Sequence, residues 1–382
     1  MGISSRLYLL LLVLHFTVVL LLAFNTKPSA GKRMTRGYAI CFAFLCVTLA
    51  LLVAYRPLGA VPDSQAYYDR FYTAPLSTNL SDILRSSSFY RGTAYSMSKL
   101  VNALFYGAYK LGFSFRQFSF SIALIELCIF FVYTRKTVEV LDLKWNAFFI
   151  LLITLIFYSY RYQFVAVAQG MGMCLIAPIF YFFIKKSYFK AIILVGIICM
   201  FHVAEFYVIP VLCLFAFTPK MKSRTYLIIW ILIGLLQFTG LAYRLGGSLT
   251  GFAGVIINRI ISTNTVYEAY ASGKAGFGVS LSSILLWLYL GLLVFSRNDN
   301  NTYWKLVNVV LLSILIAGIF ARWDIVHRFT DNSKMLFPVV TMLFFNKSRF
   351  KFEIADISLK RCLLLIFILL LFISNIRLLS LL

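Results

Sequence analysis

The sequence predicts an all-α, polytopic integral membrane protein of about ten to twelve transmembrane helices, with a half-helix hairpin at 191–219 and an interfacial helix at 97–112. Three observations predict it. Apolar runs of roughly twenty residues recur along the whole 382-residue chain, each long enough to cross a hydrocarbon core about 30 Å thick. Residues are 61% hydrophobic and 13% charged, about half the charged share of a soluble domain. The lysines and arginines gather in short loops between the apolar runs, as they do where they orient spans.

The runs are 7–24, 38–55, 118–134, 146–160, 163–184, 225–243, 278–296, 303–321, 332–346 and 362–381. The first is too long for a removed leader and lacks a small-residue cleavage pattern, so it is read as a span. The basic loops are Lys27 to Arg36, Arg135 to Lys144, Lys185 to Lys190, Lys220 to Arg224 and Lys347 to Arg361, all placed in the cytoplasm. Segments 56–96, 244–277 and 322–331 then lie outside, as do both termini. Residues 1–382 are expected to form a single membrane domain.

Segment 97–112 has both flanks outside and cannot be a simple crossing. Leu100, Val101, Leu104, Phe105, Ala108 and Leu111 fall on one helical face, with Lys99, Asn102, Tyr106 and Lys110 largely elsewhere, the pattern of an amphipathic helix lying in the interface. A tilted span with snorkelling lysines is the alternative. Segment 191–219, between two cytoplasmic loops, measures roughly 43 Å as one helix, long for one span and short for two. His202, Glu205 and Pro210 lie near its middle. Two half-helices meeting there are expected, a break tolerated only where the backbone is buried in protein or lines a wet cavity.

The net charge of +23 does not mark a nucleic-acid binder, because the basic residues are dispersed through loops with no basic domain. Seven cysteines lie in or beside apolar runs without CxxC spacing and read as small packing residues. No metal or cofactor motif is present.

Polar groups inside a bilayer are costly and need a reason. On the topology above they converge on the outer side. Arg56-Pro57-Leu58-Gly59-Ala60-Val61-Pro62-Asp63 leaves the membrane through a stiff turn and presents a carboxylate, followed by Tyr67, Tyr68 and Asp69. This is either an interfacial aromatic belt with a capping aspartate, or a base beside sugar-stacking tyrosines. Arg161 sits at the turn between two spans, either anchoring lipid headgroups or gripping a phosphate with its planar fork. His202 and Glu205 share a helix face, as a packing pair or as reactive groups. Arg322, Asp324, His327 and Arg328 fill the last outer loop, where cations suit lipid phosphates and a polyprenyl diphosphate equally. Glu126, alone in mid-span, reads as an interhelical hydrogen-bonding group, and His15 as structural.

These residues resemble a family, the EpsG-like, Wzy-type polysaccharide polymerases of bacterial envelopes. Three pieces carry the resemblance. One is the block from Arg56 through Asp63 to Tyr68. Another is Gln169-Gly170-Met171-Gly172, then Lys185-Lys186, then Phe201-His202. The third is His327-Arg328-Phe329 leading to Phe337-Pro338. Together they cover about residues 38 to 345. Where the family carries an arginine before its glutamine, this chain has Ala168; Arg161, about two helical turns earlier, is the expected substitute.

The resemblance implies a glycosyltransferase-type polymerase that joins polyprenyl-diphosphate-linked oligosaccharide units into O-antigen, capsule or exopolysaccharide chains at the periplasmic face of the inner membrane. Asp63, His202 and Glu205 are the candidate catalytic residues, one of them taking the acceptor proton. Arg56, Arg161, Arg322 and Arg328 are the candidate diphosphate ligands, with Arg161 and Arg328 foremost. Tyr67, Tyr68 and Gln169 are expected to touch sugar, tyrosines of 67–72 and 267–270 to stack on it, and the glycine-rich loop 244–277 to act as a lid. No cofactor and no metal are expected. The expected partners are the lipid-linked oligosaccharide, membrane lipid and a chain-length regulator protein, and no nucleic acid. The rival readings are another membrane transferase, acyl or lipid-linked glycosyl, and a lipid-linked sugar flippase. A flippase calls for matching broken helices in two pseudo-symmetric halves, and one break is seen.

Overall fold

The structure is a computed structural model that describes residues 4–26, 35–58, 64–73, 88–90, 93–95, 99–165, 167–201, 203–239, 281–319, 327–347, 349–350 and 357–378. The described chain is helical apart from two short antiparallel pairs, Ser88–Tyr90 with Thr93–Tyr95 and Ser296–Arg297 with Arg349–Phe350. Among the described residues, Ser5–Asn25, Arg36–Ala54, Phe115–Val140, Val167–Ile184 and Asn301–Ile319 are long and apolar enough to cross a membrane, and shorter apolar helices accompany them. The chain is an all-α, multi-pass membrane protein.

Contacts divide the chain into two compact units. One holds residues 1–206, 337–342 and 372–382, the other 207–336 and 343–371.

In the first unit, α1 (Ser5–Asn25) and α2 (Arg36–Ala54) run antiparallel. Tyr8 donates from its hydroxyl to the Leu52 carbonyl at 2.7 Å, and His15 from Nε2 to the Leu45 carbonyl at 3.0 Å, so His15 fastens two helices as expected. The opposite face of α1 leaves Leu7, Leu10, Leu14 and Leu21 exposed. A helix apolar on both faces is at home only where its outer face meets lipid. Asn146 ties the end of α1 to the start of α6 (Ala147–Thr154): its amide donates to the carbonyls of Ala23 and Thr26, and its Oδ1 accepts from the Phe148 N–H. Buried carbonyls at a helix end need such partners.

The segment after α2 folds into α3 (Ser64–Thr73) and α4 (Lys99–Lys110). The amphipathic helix read from the sequence is α4. Val101, Phe105 and Ala108 are buried, joining Tyr67 and Phe71 of α3, Phe115 and Phe118 of α5 (Phe115–Val140) and Val167, Ala168 and Met171 of α7 (Val167–Met173) in one apolar cluster. Asn102 departs from the expected polar face. It is buried, and its Oδ1 accepts from Nε and Nη2 of Arg70 at 2.9 and 2.6 Å. Gly112, at φ +81, makes the turn into α5, where Ser114 and Gln117 form a reciprocal capping box.

Two expected boundaries move. Helix α6 does not end near residue 160 but continues as a π-helix over Leu155–Gln163, and the turn falls at Phe164 and Val165. Arg161 and Ala168 therefore lie on different helices, so the helical periodicity expected to equate them does not apply. The run 332–346 is also split, into α14 (His327–Lys334) and α15 (Phe337–Lys347).

Three such interruptions share a cause. Pro178 stands in the first turn of α8 (Ile176–Ile184), Pro210 in that of α10 (Val208–Phe217) and Pro338 in that of α15. Proline has no N–H for the carbonyl four residues earlier and its ring crowds it, so each helix starts afresh just ahead of its proline. Ahead of Pro210 the chain passes from α9 (Tyr188–Phe201) through a 3-10 stretch, Val203–Tyr207, into α10. The expected break in 191–219 is present, and at about 21 Å and 15 Å neither helix spans a bilayer alone.

In the second unit α13 (Asn301–Ile319) packs on α10, α11 (Ser223–Phe238) and α14. Tyr226 donates to Asn308 Oδ1 at 2.7 Å, and Asn308 donates to the Pro219 carbonyl at 2.8 Å. Helices α11 and α12 (Leu281–Phe295) meet through stacked Trp230 and Trp287, 4.2 Å between centroids, each indole N–H donating to the other's backbone carbonyl at 2.9 Å. Gly234 and Gly291 face the partner indoles, which leave no room for a β-carbon at Gly234.

Candidate functional site

One set of polar groups in the first unit lies within reach of Arg56, two residues past the end of α2. Its side chain is only 3% exposed, and Nη1 donates back to the Val53 carbonyl at 2.7 Å. The guanidinium stands over the Phe115 ring at 5.5 Å. Nε and Nη2 are buried with no hydrogen-bond partner among the described residues. Burial pushes the guanidinium down to about 10, against the opposing pull of Tyr8, Tyr67 and Glu126. It thus remains charged at neutral pH, a buried cation within electrostatic reach of Glu126.

Glu126 is the second centre. It is buried in α5, and its Oε2 lies 3.1 Å from the Tyr158 hydroxyl. That hydroxyl is also 3.0 Å from the Gly170 carbonyl, so its single proton is shared between α5 and α7. Gln163 donates to the Ala123 carbonyl at 2.9 Å, one turn before Glu126 on α5. Tyr158 and Gln163 are five residues apart on the π-helix, where that spacing places side chains near one face. Glu126 is the interhelical hydrogen-bonding group the sequence suggested, and it also lies within electrostatic reach of Arg56.

The Gln169-Gly170-Met171-Gly172 motif forms much of α7, buried throughout. Gly170 has no alternative: a β-carbon there would sit 2.7 Å from the Tyr162 carbonyl oxygen. Gly172 lets Glu205 approach, with its Cγ 3.3 Å from where a β-carbon would be. Glu205 is fully buried in the 3-10 stretch, against the second glycine of the motif. Gln169 is buried beside them.

The remaining predicted residues distribute as follows. Tyr67 is buried in the apolar cluster, and Tyr68 is half-buried, edge-on to Tyr72 at 4.9 Å and to Phe115 at 5.6 Å. Arg161 is half-buried in the last turn of the π-helix, with its guanidinium 5.9 Å from the Tyr162 ring. Ala168 packs in the same apolar cluster as Tyr67 and Phe115, the two rings beside Arg56. Asp63, His202, Arg322, Asp324 and the loop 244–277 lie outside the described residues, and so do the side chains of His327 and Arg328. The first unit thus places Arg56 within electrostatic reach of Tyr67 and Glu126, with Tyr158 and Gln163 beside Glu126, while Glu205 packs against Gly172 of the motif helix.

Three features were missed in the sequence reading. Arg70, pushed down to about 10 by burial, locks α3 to α4 through Asn102. Arg116 stands at the start of α5, 5.0 Å from the Tyr55 ring. In the second unit, α14 buries Thr330, Asp331, Asn332 and Ser333. Ser313 donates to Ser333 at 2.7 Å, and Lys334 pairs with Asp331 at 3.3 Å. Asp331 carries no intramembrane signal in the sequence, because residues 322–331 read as an outer loop. Among the described residues, no group of three His, Cys, Asp or Glu side chains could hold a metal ion.

Chemically, the first unit offers a buried cation, two buried carboxyls and a phenol, in surroundings where electrostatic interactions are stronger than in water. Comparison with known proteins bears on what that chemistry serves. The family described as EpsG matches residues 39–380. No curated protein and no solved structure matches the chain.

Proposed function

The chain belongs to the EpsG family, and from that premise we propose that it joins polyprenyl-diphosphate-linked oligosaccharide repeat units into long chains. The family supports a polysaccharide-polymerase type of function, which makes the chain a glycosyltransferase-like enzyme. The finer reading is an O-antigen, capsule or exopolysaccharide polymerase in a bacterial inner membrane, working at the periplasmic face. Its proposed partners are the lipid-linked donor and acceptor and a chain-length regulator protein.

The observation that carries the reading is the family match, which spans every motif singled out in the sequence. The assembly of Arg56, Glu126, Tyr158 and the Gln169–Gly172 helix adds support from the chemistry. Transfer at an anomeric carbon needs a base for the acceptor hydroxyl and positive charge for the departing diphosphate. We assign the diphosphate to Arg161 and Arg328, with Arg56 and Arg322 as second choices, and the base to Asp63, His202 or Glu205. Tyr67, Tyr68 and Gln169 then line the sugar path. The enclosed position of Arg56 suits a cation that acts through the field it imposes on its surroundings.

Gene deletion followed by gel analysis of surface glycan tests the proposal. A single capped repeat unit in place of the long-chain ladder is the expected result. Complete loss of surface sugar points instead to a flippase, and an unchanged ladder removes the chain from the pathway.

A further inference from the structure

A groove of 790 Å3 opens in the first unit between the end of α2 and the start of α5, with α3 contributing its tyrosines. Polar and apolar side chains alternate in its lining, with Gln117 and Ser121 on either side of Phe120 on α5. Tyr55 and Arg116 stand at the helix ends, and Leu51 and Phe120 lie one turn deeper. Tyr68 and Tyr72, edge-on to each other at 4.9 Å, complete it. The Arg116 guanidinium is exposed, 5.0 Å from the Tyr55 ring, and pairs with no carboxylate among the described residues. None of the lining residues is acidic.

We propose that this groove receives the isoprenoid phosphate portion of a lipid-linked glycan, with the anionic head on Arg116. The isoprenoid chain lies along Leu51 and Phe120, and the first sugar lies against Tyr68 and Tyr72. Three properties select this occupant. Unbalanced positive charge calls for an anion, and an arginine fork suits phosphate oxygens. The apolar side chains Leu51, Ala54 and Leu58, together with Phe120, suit a hydrocarbon chain. Tyrosine rings carry both an apolar face and a hydroxyl, which matches a sugar ring and exceeds what a simple phospholipid headgroup needs. The proposal rests on the functional reading above and adds a port distinct from the buried Arg56 assembly.

The test uses the full-length protein in phosphatidylcholine nanodiscs, with retention of two probes measured by native mass spectrometry. One probe is bare polyprenyl diphosphate and the other is the same lipid carrying an oligosaccharide. Arg116→Ala is expected to weaken retention of both about tenfold, with partial recovery in Arg116→Lys. Tyr68→Leu is expected to weaken only the glycan-bearing probe. Equal retention by Arg116→Ala and the wild type overturns the assignment. So does displacement of either probe by phosphatidylglycerol at equal concentration, which marks a general headgroup site. A wild type that retains neither probe counts against the functional reading itself. Monodisperse gel filtration establishes that each variant is folded, and Tyr68→Leu decides the sugar contact independently of the arginine.

Discussion

Gly172 and Glu205 are held face to face: a β-carbon on the glycine would stand 3.3 Å from the Glu205 Cγ. The contact joins the Gln-Gly motif helix to the 3-10 stretch that follows α9, so a candidate base is positioned by a residue that has no side chain. Gly170, two residues earlier, is tighter still, because its neighbour is backbone that cannot move aside.

The two glycines should therefore respond differently to one added methyl group. Gly170→Ala meets the Tyr162 carbonyl oxygen at 2.7 Å and should cost about 1–3 kcal/mol, read as a lowered melting temperature in detergent. Gly172→Ala meets side-chain atoms no nearer than 3.3 Å and should cost distinctly less, while displacing Glu205 and lowering polymer yield. A reversed order of stabilities would refute the packing described here.

Glu126 and Tyr158 should be energetically coupled. Glu126→Leu and Tyr158→Phe remove the acceptor and the donor of a buried hydrogen bond, and a double-mutant cycle on unfolding should return a coupling of about 1 kcal/mol. Strict additivity would show that the 3.1 Å contact carries no stability.

Arg56 sits in a pocket that penalises charge, which makes it sensitive to a conservative change. Burial lowers the guanidinium only to about 10, so the wild type keeps its cation from pH 6 to pH 9. An ammonium starts from a lower intrinsic pKa, and the same burial drives it down further. Arg56→Lys should thus lose its charge, and polymer formation with it, as pH rises across that window, while the wild type shows no step from this residue. Matching pH profiles for the two proteins would exclude a role for the charge.

Arg161→Ala should abolish long-chain polymer while leaving the protein level in the membrane unchanged, since the side chain is half-buried near a helix end. Glycan ladders and an immunoblot from the same cells check both halves. A normal ladder would remove Arg161 from the diphosphate site.

Much of the helical framework was legible in the sequence because the bilayer imposes length and hydropathy directly. The broken segment around Glu205 was legible too, since Pro210 and two ionisable side chains contradicted a plain span. What escaped notice had a different physical origin. The turn after α6 came later than hydropathy suggested, because nothing in the composition of Leu155–Gln163 separates a π-helix from an α-helix. Glu126 looked solitary because its counterparts, Arg56 and Tyr158, are distant in the chain and meet it only through packing. Periodicity groups Asn102 with the outward polar residues because its partner Arg70 belongs to another helix. Periodicity reports which face of a helix is apolar, and it cannot report which polar groups will find one another inside.

A π-turn holds one more residue than an α-turn, and Tyr158, Arg161 and Gln163 all ride on that surplus. Excising a single amino acid upstream of Tyr158 would let the rod relax to ordinary winding with its hydropathy untouched. It would still insert and look sound by every bulk criterion, yet Tyr158 would swing away from Glu126 and Gly170. This stretch should tolerate exchange of one oily side chain for another far better than the loss of a single codon.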